Sequence, residues 1–178
     1  MNSYSQRSVA IIIPEVNFHD TELIIPKSIL EKNGFKVFIA SEGRNLSIGH
    51  YGLRIKPDMY LSNLHAENFV ALALVGGEGS KILYNNNLVH KILLDFYKKG
   101  KIIAGICSAV GILASANLLK GKKVTCFPKD KDFIKASGAE VSEKPIEVDD
   151  RIITAAGPES AELFGVTLVD LIHKSVRR

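Results

Sequence analysis

The sequence predicts an α/β protein: a doubly wound, mostly parallel sheet with helices on both faces and a nucleophile elbow. Three observations predict it. Short unbroken apolar runs, the form a strand takes when both its faces are covered, alternate with helical segments along the chain. Gly and Pro fall at the junctions of these segments. One strand also feeds directly into Gly105-Ile106-Cys107-Ser108-Ala109, a small-x-nucleophile-x-small pattern.

The elements follow in order. Val9-Ala-Ile-Ile-Ile13 is a buried strand ended by Pro14. Asp20 is the expected N-cap of a helix running to Asn33, with Gly34 as its stop. Lys36 to Ala40 is the second strand. Residues 41–65, punctuated by Gly43, Gly49, Gly52 and Pro57, read as a small hairpin with Leu53 and Ile55 facing inward, followed by a loop. Phe69 to Val75 is the next buried strand, and Gly76-Gly77-Glu78-Gly79 follows it. A helix over Leu88 to Lys99 places Leu88, Ile92 and Phe96 on one face and ends at Gly100. Lys101 to Ile106 is a strand running into Cys107, and Ser108 to Ala116 is a buried helix of small residues. A strand near Lys123–Thr125, a helix near Lys131–Ser137, and strands near Pro145–Val148 and Arg151–Ala155 come next. The last helix starts near Pro158, with Phe164, Leu168, Leu171 and Ile172 as its apolar face.

The chain has 178 residues, 46% of them hydrophobic and 24% charged, which suits one globular domain. We expect that domain to span residues 8–176, after a polar, disordered lead-in of residues 1–7. No run of about 18 apolar residues is present, so no membrane span is expected, and the polar start lacks the apolar stretch of a signal peptide. The expectation is a cytoplasmic protein. The net charge of +4 comes from scattered lysines with no basic stripe, which argues against a nucleic-acid partner. The two cysteines, Cys107 and Cys126, have no neighbouring Cys or His at metal-ligand spacing. No metal and no organic cofactor is expected.

At the elbow, small residues two before and two after Cys107 let the backbone turn sharply. The following helix start offers free N–H groups and a partial positive charge, from which a lowered thiol pKa is expected. The same residues also suit a small buried cysteine ahead of a core helix. Gly76-Gly77 after a buried strand lets the backbone approach a neighbour, and its amides are candidates for an oxyanion pocket with Ser108. A plain tight turn is the other reading. Glu22, near the start of the first helix, lies four residues before Pro26, which cannot donate to its carbonyl. If Glu22 is buried beside Cys107, two negative groups cannot both ionise cheaply. A protonated Glu22 donating to a Cys107 thiolate is then expected.

With these residues in hand, the chain resembles the ThiJ/PfpI family, which includes the parkinsonism-linked deglycase and archaeal intracellular proteases. The matching pieces are Asn17 to Pro26, Leu74 to Gly77, Ile103 to Ala109 with Leu119 to Pro128 behind it, and Thr154 to Pro158. The resemblance implies a flavodoxin-like sheet and a homodimer. It places the reactive cysteine on Cys107, the glutamate on Glu22 and the oxyanion amides on Gly77 and Ser108. Some positions depart from the pattern. Ser108 stands where protease-like members carry His, Phe127 and Ala156 stand where the parkinsonism-linked branch has His and Arg, and His19 stands at an often acidic position. His19 is therefore a candidate imidazole for the site, and His50 lies in a loop that could reach it.

The implied function is a cysteine-dependent enzyme acting on small reactive aldehydes, glyoxalase- or deglycase-like, in stress protection. A non-enzymatic cysteine redox sensor or stress-protective chaperone is the alternative. A peptidase or amidohydrolase is a third, which Ser108 disfavours.

Overall fold

In Ser8–Ile12 every residue is buried, because the strand is covered on both faces. The computed structural model describes residues 7–43 and 45–176, so nearly all of the expected lead-in lies outside the described residues. The strands are β1 (Ser8–Ile12), β2 (Val16–Phe18), β3 (Lys36–Ser41), β4 (Ser47–Gly49), β5 (Arg54–Ile55), β6 (Met59–Tyr60), β7 (Ala71–Leu74), β8 (Ile102–Ile106), β9 (Lys123–Val124), β10 (Glu140–Val141), β11 (Ile146–Asp149) and β12 (Ile152–Ala155). The helices are α1 (Asp20–Lys32), α2 (Asn87–Lys98), α3 (Val110–Ser115), α4 (Lys131–Ala136) and α5 (Ala161–Val176).

Seven strands form the main sheet in the order β11-β12-β8-β7-β1-β3-β6. Every pairing is parallel except β11 with β12. This is the mixed α/β, mostly parallel sheet that the alternation predicts. Alternate residues of β1 feed two cores. Ala10 and Ile12 join Leu72, Leu93, Phe96, Ile103 and Leu113. Val9, Ile11 and Ile13 join Leu23, Leu30, Phe164, Leu168 and Ile172, which come from α1 and α5. Each fully buried Leu, Ile or Phe contributes roughly 1.5–3 kcal/mol. Helices α1 and α5 meet closely at Gly165, where a Cβ would stand 3.0 Å from the Pro26 Cα. Helix α1 continues through Pro26.

Several expectations need correction. Asp20 does not cap α1; His19 occupies that position, and Asp20 accepts the N–H groups of Tyr51 and Leu53 instead. A polar side chain fully engaged by a distant loop is not available to its own helix. On α2 the buried face is Val89, Ile92, Leu93 and Phe96, whereas Leu88 is 40% exposed. Asn86 caps that helix through bonds from Leu88 N and Val89 N. The expected hairpin is β4 with β5, extended by β2 into a three-stranded sheet. The strand near Lys123 pairs with β10 outside the main sheet.

Candidate active site

Three segments converge at the carboxyl ends of the central strands, where ligand crevices of such sheets lie. They are the turn after β1, the Gly76-Gly77 turn after β7, and Cys107 after β8. Cys107 has φ 60°, a left-handed conformation that costs a non-glycine residue about 1–2 kcal/mol. The neighbouring backbone holds it there. A 3-10 turn over Cys107–Ala109 leads into α3. The Gly105 position leaves only 3.1 Å between a would-be Cβ and Leu113. The Tyr84 hydroxyl donates to the Ser108 carbonyl at 2.7 Å, and its ring lies over Gly111. Burial raises the Tyr84 phenol well above its usual range, so it stays a donor. Tyr84→Phe should lower stability by about 1 kcal/mol, measured by thermal unfolding.

Glu22 is fully buried. Its Oε2 accepts the Gly76 N–H at 2.9 Å. Its Oε1 has no hydrogen-bond partner of standard geometry, and the side-chain group with which the carboxyl interacts is the Cys107 thiol. Gly76 forms the wall between the two. A Cβ there would lie 2.7 Å from Cys107 Cβ, from Glu22 Oε2 and from the Ile106 carbonyl oxygen. Gly76→Ala should therefore cost about 1–3 kcal/mol in chemical denaturation and push Cys107 and Glu22 apart. Because Gly76 N–H is committed to Glu22, it does not serve as the oxyanion donor expected of it. Gly77, at φ 103°, approaches the Asn17 carbonyl and the His19 amide, so only glycine fits there.

Burial raises the Glu22 carboxyl to about 7, against the weaker pull of its hydrogen bonds from Cys107 and Gly76. The direction expected for Glu22 is the one found. For Cys107 the expectation is overturned: burial, and next the Glu22 charge, push the thiol up to about 12. The helix start that was to lower it is a 3-10 turn followed by a six-residue helix, a weak dipole against a side chain only 5% exposed. The Ser108 N–H and hydroxyl both act on the sulfur in the opposite sense, favouring thiolate. Above about 7 the pair thus keeps one proton, which sits on the Cys107 thiol and is donated to the Glu22 carboxylate.

His19 is brought to the rim but not to the thiol. Its ring packs edge-on against Tyr51, 5.4 Å between centroids, and Tyr51 meets His50 at 4.8 Å. Its main-chain N–H donates to the Gly76 carbonyl at 2.9 Å. Burial lowers its pKa, and its charged neighbours are Asp20, His50 and Glu159. Cys126 is a buried free thiol, raised to about 11 by burial. Among the described residues no cluster of three His, Cys, Asp or Glu is arranged to hold a metal, and no helix is long and apolar enough to cross a membrane. Sequence reading missed Glu159, whose charge acts on both Glu22 and His19. Only the pairing of β12 beside β8 brings it there.

An α/β sheet carrying a buried carboxyl against an elbow cysteine defines a class of cysteine-centred α/β proteins. The chain belongs to the DJ-1/PfpI family, whose model matches residues 7–171. It is 33% identical to a deglycase of Pyrococcus horikoshii over 147 residues, 83% of this chain and 87% of that one. It is 26% identical to a glutathione-independent glyoxalase of Caenorhabditis elegans over 95% of this chain and 90% of that one. The crystal structure of a ThiJ/PfpI domain protein from Brachyspira murdochii superposes with a TM-score of 0.93 at 28% identity, covering 94% of this chain and 97% of that one.

Proposed function

We propose that this protein is a cysteine-dependent enzyme that converts small reactive aldehydes to hydroxy acids without a cofactor. The observation that carries this reading is the one-proton contact between Glu22 and Cys107. The sulfur adds to the aldehyde carbon of a 2-oxoaldehyde, forming a C–S bond while the carbonyl electron pair moves to oxygen. The shared proton is held by Glu22 and returned to that oxygen, near the Gly77 and Ser108 amides. Glu22, tuned to about 7, then takes the C1 proton and delivers it to C2, while the C1 hydroxyl proton passes to the C2 oxygen, leaving a thioester at C1. C1 is oxidised and C2 reduced within one molecule, so no outside oxidant is needed. Water hydrolyses the resulting thioester, releasing the hydroxy acid and freeing Cys107. Relatives named deglycase and glyoxalase support this substrate class. His19, half-buried at the rim, would orient substrate rather than act on the sulfur.

We further propose a homodimer. It would cover Val16, Ile24, Leu46, Ile48 and Tyr51, which are 40–71% exposed on β2, α1, β4 and the segments flanking β4. A cytoplasmic, stress-protective role belongs to the same proposal. The test is proton NMR of methylglyoxal incubated with the protein. Lactate formed far above the buffer rate supports the reading. Its absence, with Cys107 oxidised instead, would favour a redox sensor.

A further inference from the structure

We propose that Glu159 makes this site selective for the charge of its substrate, favouring cationic and neutral carbonyl compounds over carboxylate-bearing ones. The proposal rests on the reading that Cys107 attacks a carbonyl carbon. Ala155 of β12 pairs with Ile106, the residue before Cys107, so the loop after β12 stands beside the elbow. In that loop Glu159 is exposed, and its Oε2 folds back to 3.4 Å from where a Gly157 Cβ would be, on the side where Phe127 also approaches. Its charge acts on Glu22 and on His19, one group inside the pocket and one at its rim.

No Lys, Arg or His pairs with Glu159 within 4.0 Å among the described residues. Burial favours the neutral form of His19. The other rim carboxylate, Asp20, is consumed by the Tyr51 and Leu53 amides. Phe127 and Ala156 add no cation on this side. An incoming carboxylate therefore meets a like charge, whereas an ammonium or guanidinium group meets an attractive one.

The experiment labels Cys107 with three methanethiosulfonates of similar size: cationic (trimethylammonium-ethyl), anionic (sulfonatoethyl) and neutral (methyl). In each the sulfur forms a disulfide and methanesulfinate leaves, so the reaction reads local potential whether or not the protein turns over aldehydes. Peptide mass spectrometry separates Cys107 from Cys126. The ratio of cationic to anionic rates should fall about tenfold in Glu159→Gln and further in Glu159→Lys, with the neutral rate serving as the control for folding. An unchanged ratio in both variants overturns the proposal. As a second arm, kcat/KM for 4,5-dioxopentanoate, a 2-oxoaldehyde bearing a carboxylate, relative to methylglyoxal should rise about tenfold in Glu159→Gln. If wild type consumes neither aldehyde, the carbonyl reading fails, and the labelling ratio still decides the role of Glu159.

Discussion

Cys107→Ser is expected to lower lactate formation from methylglyoxal by about a thousandfold or more while leaving the melting temperature within a few degrees of wild type. The two halves of this result have separate causes. A serine hydroxyl is far less acidic than a thiol and a poorer nucleophile, so a Glu22 tuned to about 7 cannot supply the same attack. The fold, in contrast, asks little of the sulfur. The left-handed turn at Cys107 is held by the Ser108–Tyr84 bond and by close packing at Gly76 and Gly105. A hydroxyl of smaller volume fits that frame, with Glu22 and Ser108 at hand as hydrogen-bond partners. Loss of activity together with loss of the folded state would mean that Cys107 is a core residue, and the catalytic reading would lose its support.

The second large effect is expected from Glu22→Gln, in activity and in stability. Glutamine keeps an oxygen for the Gly76 amide but cannot carry the shared proton, so turnover near neutral pH should drop about 10²–10⁴-fold. Stability changes in the direction set by the raised carboxyl. Between its ordinary value of 4.5 and about 7 the folded chain binds a proton that the unfolded chain has released. The stabilisation relative to an ionised Glu22 is thus complete below 4.5 and is lost as pH rises through about 7. Over that window wild type should lose about 3 kcal/mol that Glu22→Gln retains, since one unit is about 1.4 kcal/mol. Urea denaturation of both proteins at pH 4.5 and pH 8 gives the difference directly. Parallel pH dependences would mean that Glu22 ionises freely and is not the buried partner of Cys107.

Much of the architecture was legible because its signals are local. The continuous apolar runs at Val9–Ile13, Phe69–Val75 and Lys101–Ile106 became β1, β7 and β8, the central strands of the sheet. The approach of Glu22 to Cys107 was legible only as a condition that the family resemblance favoured, because Glu22 sits on a helix after β2, outside the main sheet. What the residues could not display is depth and neighbours. The direction of the Cys107 shift depends on a side chain 5% exposed and on a 3-10 turn in place of a full helical start. The capping guess at Asp20 failed because its partners lie 31 and 33 residues away. Strand β2 is three residues long and owes its pairing to β4, so no local periodicity marks it. Glu159 reads as an ordinary residue of a helix start until β12 is set beside β8.

The most direct test of the shared-proton pair is the rate of Cys107 alkylation by iodoacetamide across pH, in wild type and in Glu22→Gln. In wild type the rate should stay low through about pH 7, where Glu22 gives up its proton and the thiol keeps its own, and should rise only towards about pH 12. In Glu22→Gln the rise should shift to lower pH, because the carboxylate charge that raises the thiol is gone, and should stay above the ordinary cysteine value of about 8.5, because burial remains. A wild-type rate already at its plateau near about pH 5 would contradict the account, because it would mean a preformed, independent thiolate. Identical profiles in the two proteins would contradict it as well, because Cys107 would then titrate without Glu22.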